Sequence, residues 1–285
     1  MGTETGHDLG LLTGPVLVFG GPYSNLAATQ AMQQVARQRD IPAARVICTG
    51  DLVAYCAEPQ ATVDLIRDWG IPVVMGNCEE SLAAGAPDCG CGFDENSACS
   101  LLSVQWYRYA SQQLSQAHKH WMATLPRQLT FSLNGQRFTV VHGSLNSINR
   151  FVFASGDNAA KQQQLADAGA DVMIGGHCGL PFGQAMAEGA WLNSGVIGMP
   201  ANDASPDGWY LLLTPNPDQT ITASWHRLAY DVAASAAAMI SAGLDNPYAQ
   251  ALQSGLWPST DILPTLEAQQ TGQRLHLPEL RLVRR

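Results

Sequence analysis

The sequence has 285 residues, a formal net charge of −9 and an apolar fraction of 46%. Length and hydrophobicity exclude a disordered chain and predict one large domain with an appendage. Basic residues are scattered singly, so an extended nucleic acid is not an expected partner. Residues 1–11 lack a signal-peptide pattern, and the longest uncharged apolar stretch, residues 232–244, is too short to span a bilayer. We therefore expect a soluble, cytoplasmic protein without a membrane partner.

The first part of the chain alternates short apolar runs with helical patterns. The runs at 16–19, 46–48 and 73–75 predict buried strands, and the segments at 26–39 and 61–69 predict amphipathic helices. Continuous apolar strands separated by helices are typical of a sheet that is covered on both faces. The pattern therefore predicts an α/β fold with right-handed crossovers.

The later part of the chain is richer in hairpins. Asn134-Gly135 between two apolar runs, 129–133 and 137–141, is the strongest hairpin signal in the sequence. Helices are predicted at 101–125 and 159–168, and further strands at 172–174, 190–192, 209–213 and 221–225. We divide the chain into an N-terminal tail (1–14), a core (15–230) and a largely helical C-terminal extension packed on the core (231–285).

Seven cysteines, an odd number without an export signal, favour reduced thiols over a disulfide framework. Three of them, Cys89, Cys91 and Cys99, lie in a Gly- and Pro-rich segment at 83–100 that we predict to be a loop insertion. Their spacing matches no common zinc or iron–sulfur pattern. Three interpretations stay open: reduced loop thiols, a thiolate metal site that includes Cys78, and a lid that brings one cysteine to a neighbouring metal.

Four residues of metal-ligand type follow the ends of predicted strands. They are Asp51, Asn77, His142 and His177. Because ligands bind where the carboxyl ends of strands converge, we expect these side chains to share one crevice. The alternative is that they are ordinary polar side chains whose hydrogen bonds are satisfied by the backbone.

The order of the motifs that contain these residues resembles the calcineurin-like metallophosphoesterase family, particularly its small bacterial phosphodiesterase-type members. The motifs are Gly50-Asp51, Gly76-Asn77-Cys78-Glu79, Val141-His142-Gly143, Gly176-His177 and Asn193–Pro200. The resemblance covers residues 15 to about 230. It implies an α/β/β/α sandwich with mixed sheets, a phosphorylated small-molecule substrate and a divalent metal cofactor.

The resemblance also implies the role of each ligand. Asp51 corresponds to the aspartate that bridges two metal ions about 3.5–4 Å apart, between which a water attacks phosphorus in line. Asn77, His142 and His177 correspond to the remaining ligands of the second ion. Asp51 and His142 are therefore also expected to be catalytic.

The ligands of the first ion are replaced. The family's Asp-x-His-(Gly/Ser)-Asn motif reads Gly21-Pro22-Tyr23-Ser24-Asn25, and its Gly-His-Thr-His motif ends in Gly179 instead of histidine. All three losses affect one ion, whereas the ligands of the other ion are retained. The resemblance therefore implies one divalent ion (Mn, Fe, Zn or Mg), or a first ion held by different ligands.

Further substitutions lie close to the expected site. Cys78 stands where many family members have a histidine that protonates the leaving group, and Cys178 replaces the threonine between the two family histidines. Tyr23, Cys78 and Cys178 are therefore additional candidate ligands, and Cys78 is also a catalytic candidate. Arg150, in the loop after His142, could contact a phosphate bidentately or pair with a surface carboxylate.

These features favour a metal-dependent phosphoesterase that hydrolyses a phosphomonoester or phosphodiester at a single or atypical metal centre. A non-catalytic binding or scaffold protein with the same fold is the first alternative, because fold alone does not determine function. Thiol-assisted chemistry at the retained metal is the second. Whether the protein forms a homo-oligomer is left open by the sequence.

Overall fold

The computed structural model describes residues 6–92 and 97–284. Its strands are β1 (Gly6–Leu11), β2 (Val16–Phe19), β3 (Val46–Cys48), β4 (Gln128–Leu133), β5 (Gln136–Val141), β6 (Val172–Gly175), β7 (Phe182–Met186), β8 (Gly189–Asn193), β9 (Gly208–Pro215), β10 (Ile221–Leu228) and β11 (Leu280–Leu282). Its α-helices are α1 (Leu26–Gln38), α2 (Pro59–Trp69), α3 (Asn77–Ala84), α4 (Ala98–Gln113), α5 (Gln116–Met122), α6 (Asn158–Ala168), α7 (Val232–Ser241), α8 (Pro247–Ser254) and α9 (Thr265–Gln269). None of the described helices is long and apolar enough to cross a membrane.

The strands form two mixed sheets. One has the order β1-β4-β5-β6-β8-β7, and the other has the order β11-β10-β9-β2-β3. Alternate side chains of β2 point to opposite faces of its sheet. Val18 packs with Phe131 and Leu211 between the sheets, whereas Leu17 packs with the helical layer that contains Met32.

A third apolar cluster covers the outer face of the six-stranded sheet. Leu165 of α6 packs there with Met173 and Trp191. The layers are therefore helices, sheet, sheet and helix, which confirms the α/β/β/α sandwich. Each large apolar side chain buried in these clusters contributes roughly 1.5–3 kcal/mol of transfer free energy.

The hairpin between β4 and β5 forms as predicted. Its turn residues Asn134 and Gly135 have φ values of 46° and 74°, which is the left-handed pair that a two-residue turn requires. The Asn134 side-chain amide donates to the backbone carbonyls of Asn216 and Thr220 at 2.9 and 3.1 Å. This turn is therefore also tied to the β9–β10 connection.

Two predicted elements differ from the structure. Residues 73–75 make only one parallel bridge, between Val73 and Cys48 of β3, and Met75 N donates to Pro126 O at 2.8 Å. The helix predicted at 101–125 is divided into α4 and α5. Ser115 interrupts it by adopting an extended conformation and capping the new helix, with its Oγ accepting from His118 N at 3.3 Å.

Both ends of the described chain contribute an edge strand that the sequence pattern did not predict. β1 pairs in parallel with β4, and β11 pairs antiparallel with β10. The side chains of β1 are mostly exposed, so it lacks the apolar alternation that identifies a strand. The extension carries three helices before it ends in β11.

Candidate metal centre

The loop after β3 carries Asp51 in a left-handed conformation with φ of 56°. It follows Gly50, whose φ is 95° and where an added Cβ would lie 2.7 Å from Gly76 N. Only glycine allows this close approach of the two loops. The carboxylate of Asp51 is thereby brought beside the start of α3.

The Glu79 side chain links the loop that carries Asp51 to the start of α3. Its Oε2 accepts hydrogen bonds from Asp51 N at 2.8 Å and Gly76 N at 3.0 Å, and its Oε1 accepts from Leu52 N at 2.8 Å. The bond to Gly76 is the return arm of a helix capping motif. The orienting role of Glu79 was not predicted from its motif, although a glutamate at the third position of a helix is a capping signal.

The remaining ligand candidates come from three other positions at the same edge. Asn77 is the first residue of α3, His142 directly follows β5, and His177 lies in the loop after β6 with φ of 58°. Non-glycine residues with such φ values cost free energy and occur preferentially at functional sites. All four candidates are buried.

The four side chains meet around one atom, Nε2 of His142. This nitrogen lies 3.0 Å from Asn77 Oδ1, 3.2 Å from His177 Nδ1 and 3.3 Å from Asp51 Oδ2. Potential ligand atoms of Asp51, His142 and His177 all lie within 4.8 Å of one another. The structure thus brings together the complete set that the sequence predicted.

Hydrogen bonds on the outer side fix which atoms face inward. His142 Nδ1–H donates to the carbonyl of Thr49 at 2.6 Å, so the neutral ring presents a lone pair at Nε2. Asn77 Nδ2 donates to the carbonyl of Cys89 at 2.9 Å, so the amide oxygen is the atom turned toward His142. His177 Nε2 is buried and has no hydrogen-bond partner in the described part of the chain.

The inward-facing atoms are therefore two imidazole nitrogens, an amide oxygen and a carboxylate oxygen. Electron-pair donors at this separation repel one another unless a proton or a cation lies between them. Nitrogen and oxygen ligands of this kind suit divalent cations such as Zn, Fe and Mn.

The electrostatics of the cluster also favour a positive charge. Burial opposes ionisation of Asp51, but the adjacent His142 lowers the pKa of the carboxyl below its usual value. Burial opposes protonation of His142, but Asp51 raises the pKa of its ring. Burial, followed by the neighbouring His142, lowers the pKa of His177 to about 3, so this ring is neutral and available as a ligand.

The side where a first ion would be expected is lined by aromatic and apolar side chains. A Cβ added at Gly21 would lie 2.6 Å from Cζ of Tyr23 and 2.7 Å from Cγ1 of Val196. A Cβ added at Gly179 would lie 3.2 Å from the ring of Trp257. An aspartate at position 21 or a histidine at position 179 would therefore collide with these neighbouring side chains.

Tyr23, Cys78 and Cys178 all lie near the cluster. Cys78 N donates to Asp51 Oδ1 at 3.3 Å, and the Cys178 thiol accepts from Asn193 Nδ2 at 3.2 Å. Burial, reinforced by Asp51, raises the pKa of Tyr23 and Cys78 well above their usual values. Burial raises the pKa of Cys178 to about 12, so neutral forms of all three groups are favoured.

Arg150 follows the loop after His142 and directly precedes Phe151, whose ring lies 4.2 Å from that of His177. The Arg150 side chain is exposed, and Arg150 is not among the described residues that line the cavity next to the cluster. A contact with a phosphate group remains a prediction for this residue.

The expectation that all cysteines are reduced is wrong for one pair. Cys89 and Cys91 form a disulfide, whereas Cys99, Cys78 and Cys178 are free and buried. The sequence did not indicate this disulfide, because two cysteines separated by one residue do not resemble the widely spaced pairs that cross-link a fold. The disulfide-bonded segment lies against the cluster, since Cys89 supplies the carbonyl that orients the Asn77 amide.

A cavity of about 60 Å³ opens beside the cluster. Asp51 and His177 line it on one side, and its other walls include Tyr23, Tyr55, Tyr248 and Trp257. The candidate ligands therefore face a space that is mostly aromatic.

Comparisons with known proteins agree with this fold. The sequence profile of the calcineurin-like phosphoesterase superfamily domain matches residues 24–216. A metallophosphoesterase from Sphaerobacter thermophilus superimposes with a TM-score of 0.66 and 21% identity, over 86% of this chain and 100% of that chain. A hypothetical protein from Pyrococcus horikoshii superimposes with a TM-score of 0.69 and 13% identity, over 85% of this chain and 99% of that chain. Among curated proteins, none matches this sequence.

Proposed function

Because the chain belongs to the calcineurin-like phosphoesterase superfamily, we propose that it is a metal-dependent phosphoesterase with a single divalent cation. Its substrate is a small phosphomonoester or phosphodiester. The cation is Mn, Fe, Zn or Mg, and its ligands are Asp51, Asn77, His142 and His177.

The observation that carries this proposal is the convergence of three ligand atoms on His142 Nε2, at 3.0, 3.2 and 3.3 Å. When bound, a divalent cation supplies Lewis acidity, which neutralises phosphate charge and makes a water molecule more acidic. The buried carboxylate of Asp51 reduces the net charge of the centre.

Neighbouring groups of the chain hold this arrangement in place. Thr49 fixes the tautomer of His142, the carbonyl of Cys89 fixes the amide of Asn77, and Glu79 fixes the backbone of Asp51. Partners of this kind orient metal ligands and strengthen binding. The phosphate contact proposed for Arg150 and the catalytic role proposed for Cys78 would be additional to this framework.

The test is to load the purified protein with each metal in turn and to measure metal content together with turnover of phosphomonoester and phosphodiester panels. We expect one ion per chain. His142→Ala should lose the ion and at least about 100-fold of the activity, because it removes a ligand on which the other three converge. His276→Gln is the matched control, since His276 is exposed and lies outside the site. Two tightly bound ions, or a metal-loaded protein without turnover, would overturn the proposal.

A non-catalytic binding protein is the second candidate function. It is favoured by the apolar groups that fill the side next to Gly21 and Gly179, and by the absence of Lys and Arg among the described residues that line the cavity. Such a protein would show no turnover in the same panels, whether or not it retains an ion.

Thiol-assisted chemistry is less favoured. Cys78 and Cys178 are buried, and burial raises the pKa of both thiols, which disfavours the reactive thiolate. If a thiol takes part, Cys78→Ser or Cys178→Ser should abolish turnover, whereas the phosphoesterase proposal requires only the four ligands.

A further inference from the structure

The cavity beside the proposed cation site has an aromatic wall. The ring of Tyr55 lies between two others, with centroids 4.8 Å from Tyr23 and 4.4 Å from Tyr248. Asp51 and His177 line the same cavity, so a molecule bound through phosphate at the cation would extend toward these rings. Aromatic side chains provide large apolar contact areas and favour stacked or edge-to-face packing of another ring.

A second side of the wall comes from a different part of the chain. Trp257 lies against Gly179, and its Nε1–H donates to the carbonyl of Pro200 at 2.7 Å, so its orientation is fixed. Cys99, Met199 and Ile262 add further apolar surface. These side chains therefore give the cavity an uncharged, largely apolar wall opposite Asp51 and His177.

The charges of the lining decide between classes of ligand. None of the described lining residues is Lys or Arg, and the ligand Asp51 is the only acidic one. A second phosphate or carboxylate placed here would be desolvated without a cationic partner, which is strongly unfavourable. The group that fills the cavity is therefore uncharged.

The volume of the cavity limits the size of the uncharged group that can bind there. Its volume of about 60 Å³ has room for roughly four to six water molecules, at about 10–15 Å³ each on this measure. That is the scale of a single six-membered ring. A long acyl chain or a fused polycyclic group would exceed it.

We propose, as an extension of the phosphoesterase function, that this cavity binds the aromatic ring of the substrate's alcohol, so that the substrate is an aryl phosphoester. Hydrolysis then forms a bond between a water oxygen and phosphorus and breaks the bond between phosphorus and the aryl oxygen. The aryl oxygen leaves with the electron pair, and the proton of the water passes to solvent. Apart from the ligand His177, no His, Lys or Arg among the described residues lines the cavity to protonate a leaving alkoxide. A phenol, which ionises near pH 10 like the tyrosine side chain, depends less on such a donor than an aliphatic alcohol does.

The experiment measures binding rather than turnover. Phenylphosphonate and methylphosphonate carry the same anionic group and differ in the ring. We expect the metal-loaded protein to bind phenylphosphonate about tenfold or more tightly by calorimetry, because burial of the ring contributes free energy that methyl cannot. Phenol alone, observed by ligand-detected NMR, should bind the cation-free protein.

Two variants locate the binding. Ile262→Trp fills the cavity from a partly exposed position, so it should abolish phenol binding and reduce the phosphonate preference to near one. Ile240→Trp is the matched control, because Ile240 is 54% exposed on α7 and lies outside the cavity. Thermal unfolding of both variants confirms that they are folded. Equal affinity for the two phosphonates, absence of phenol binding, or an equal effect of both substitutions would overturn the proposal.

Failure of this proposal differs from failure of the phosphoesterase function. If alkyl and aryl esters are turned over at equal kcat/KM and phenol does not bind, the proposed aromatic preference is contradicted, whereas the phosphoesterase function is supported. If phenol binds and this binding is lost in Ile262→Trp, but no ester is turned over, the aromatic-binding site is supported and the phosphoesterase function is contradicted.

Discussion

Glu79 lies next to the candidate ligand Asp51, and both of its carboxylate oxygens accept hydrogen bonds from buried backbone N–H groups. Burial and the adjacent Asp51 raise the pKa of Glu79 to about 7. Glu79→Gln replaces one acceptor oxygen with an N–H donor that faces another donor. Measured at about pH 8, above that pKa, we expect the free energy of unfolding to fall by roughly 1–3 kcal/mol, because a buried N–H group loses its partner.

The neighbouring Glu80 is the matched control for this substitution. Glu80 pairs with Arg127 at a position where both side chains are substantially exposed. Exposed ion pairs contribute about 0–1 kcal/mol, so Glu80→Gln should have a small effect on urea unfolding. Equal losses in the two variants would contradict the role assigned to Glu79.

Residue types and order were sufficient to predict that the four candidate ligands share one crevice. Asp51, Asn77, His142 and His177 each follow a strand end, and the structure places them together. The groups that orient them were not predictable in this way. The carbonyl of Thr49 belongs to a backbone group that every residue has, so its role becomes visible only in three dimensions. The contribution of Trp257 depends on how a distant segment folds back.

At the scale of elements, the β4–β5 hairpin offers a direct test of turn conformation. Gly135 has φ of 74°, so Gly135→Ala forces an L side chain into the left-handed region, and the added Cβ would lie 3.1 Å from the Arg284 guanidinium. We expect a loss of roughly 1–2 kcal/mol in the free energy of unfolding.

Gly6→Ala provides the comparison for this turn. Gly6 lies on the exposed edge strand β1 without a left-handed φ, and the nearest atom to an added Cβ is 3.7 Å away. Its effect on thermal unfolding should be within about 0.5 kcal/mol. A Gly135→Ala variant that is as stable as Gly6→Ala would show that the turn can adopt another conformation.

Elements were predictable where burial imposes a pattern on the sequence. β2 is entirely buried, and its predicted bounds match the structure. β1 is mostly exposed and is held by pairing with β4 instead of by apolar side chains, so its sequence resembles that of a loop. The division of one predicted helix at Ser115 shows that a capping residue can outweigh continuous helical periodicity.

For the whole molecule, the stability should depend on pH through His226. Burial, followed by the nearby Arg39, lowers the pKa of His226 below 6.5. Below pH 6.5 the unfolded chain therefore binds a proton that the native protein binds less readily, and the free energy of unfolding decreases as the pH falls toward the lower native pKa. His226→Gln should reduce this decrease in urea unfolding between about pH 7 and pH 5. His276→Gln, a histidine substitution at an exposed position, is the control variant in the same measurement.

Trp257, which lines the cavity, follows all four candidate ligands in the chain and reaches the site from the C-terminal extension. On the ribosome, the four candidate ligands therefore emerge before the side chain that shapes the space beside them. The candidate ligands can therefore come together before the wall that Trp257 provides is in place, and the cavity is the later of the two features to be completed in the biogenesis of this protein.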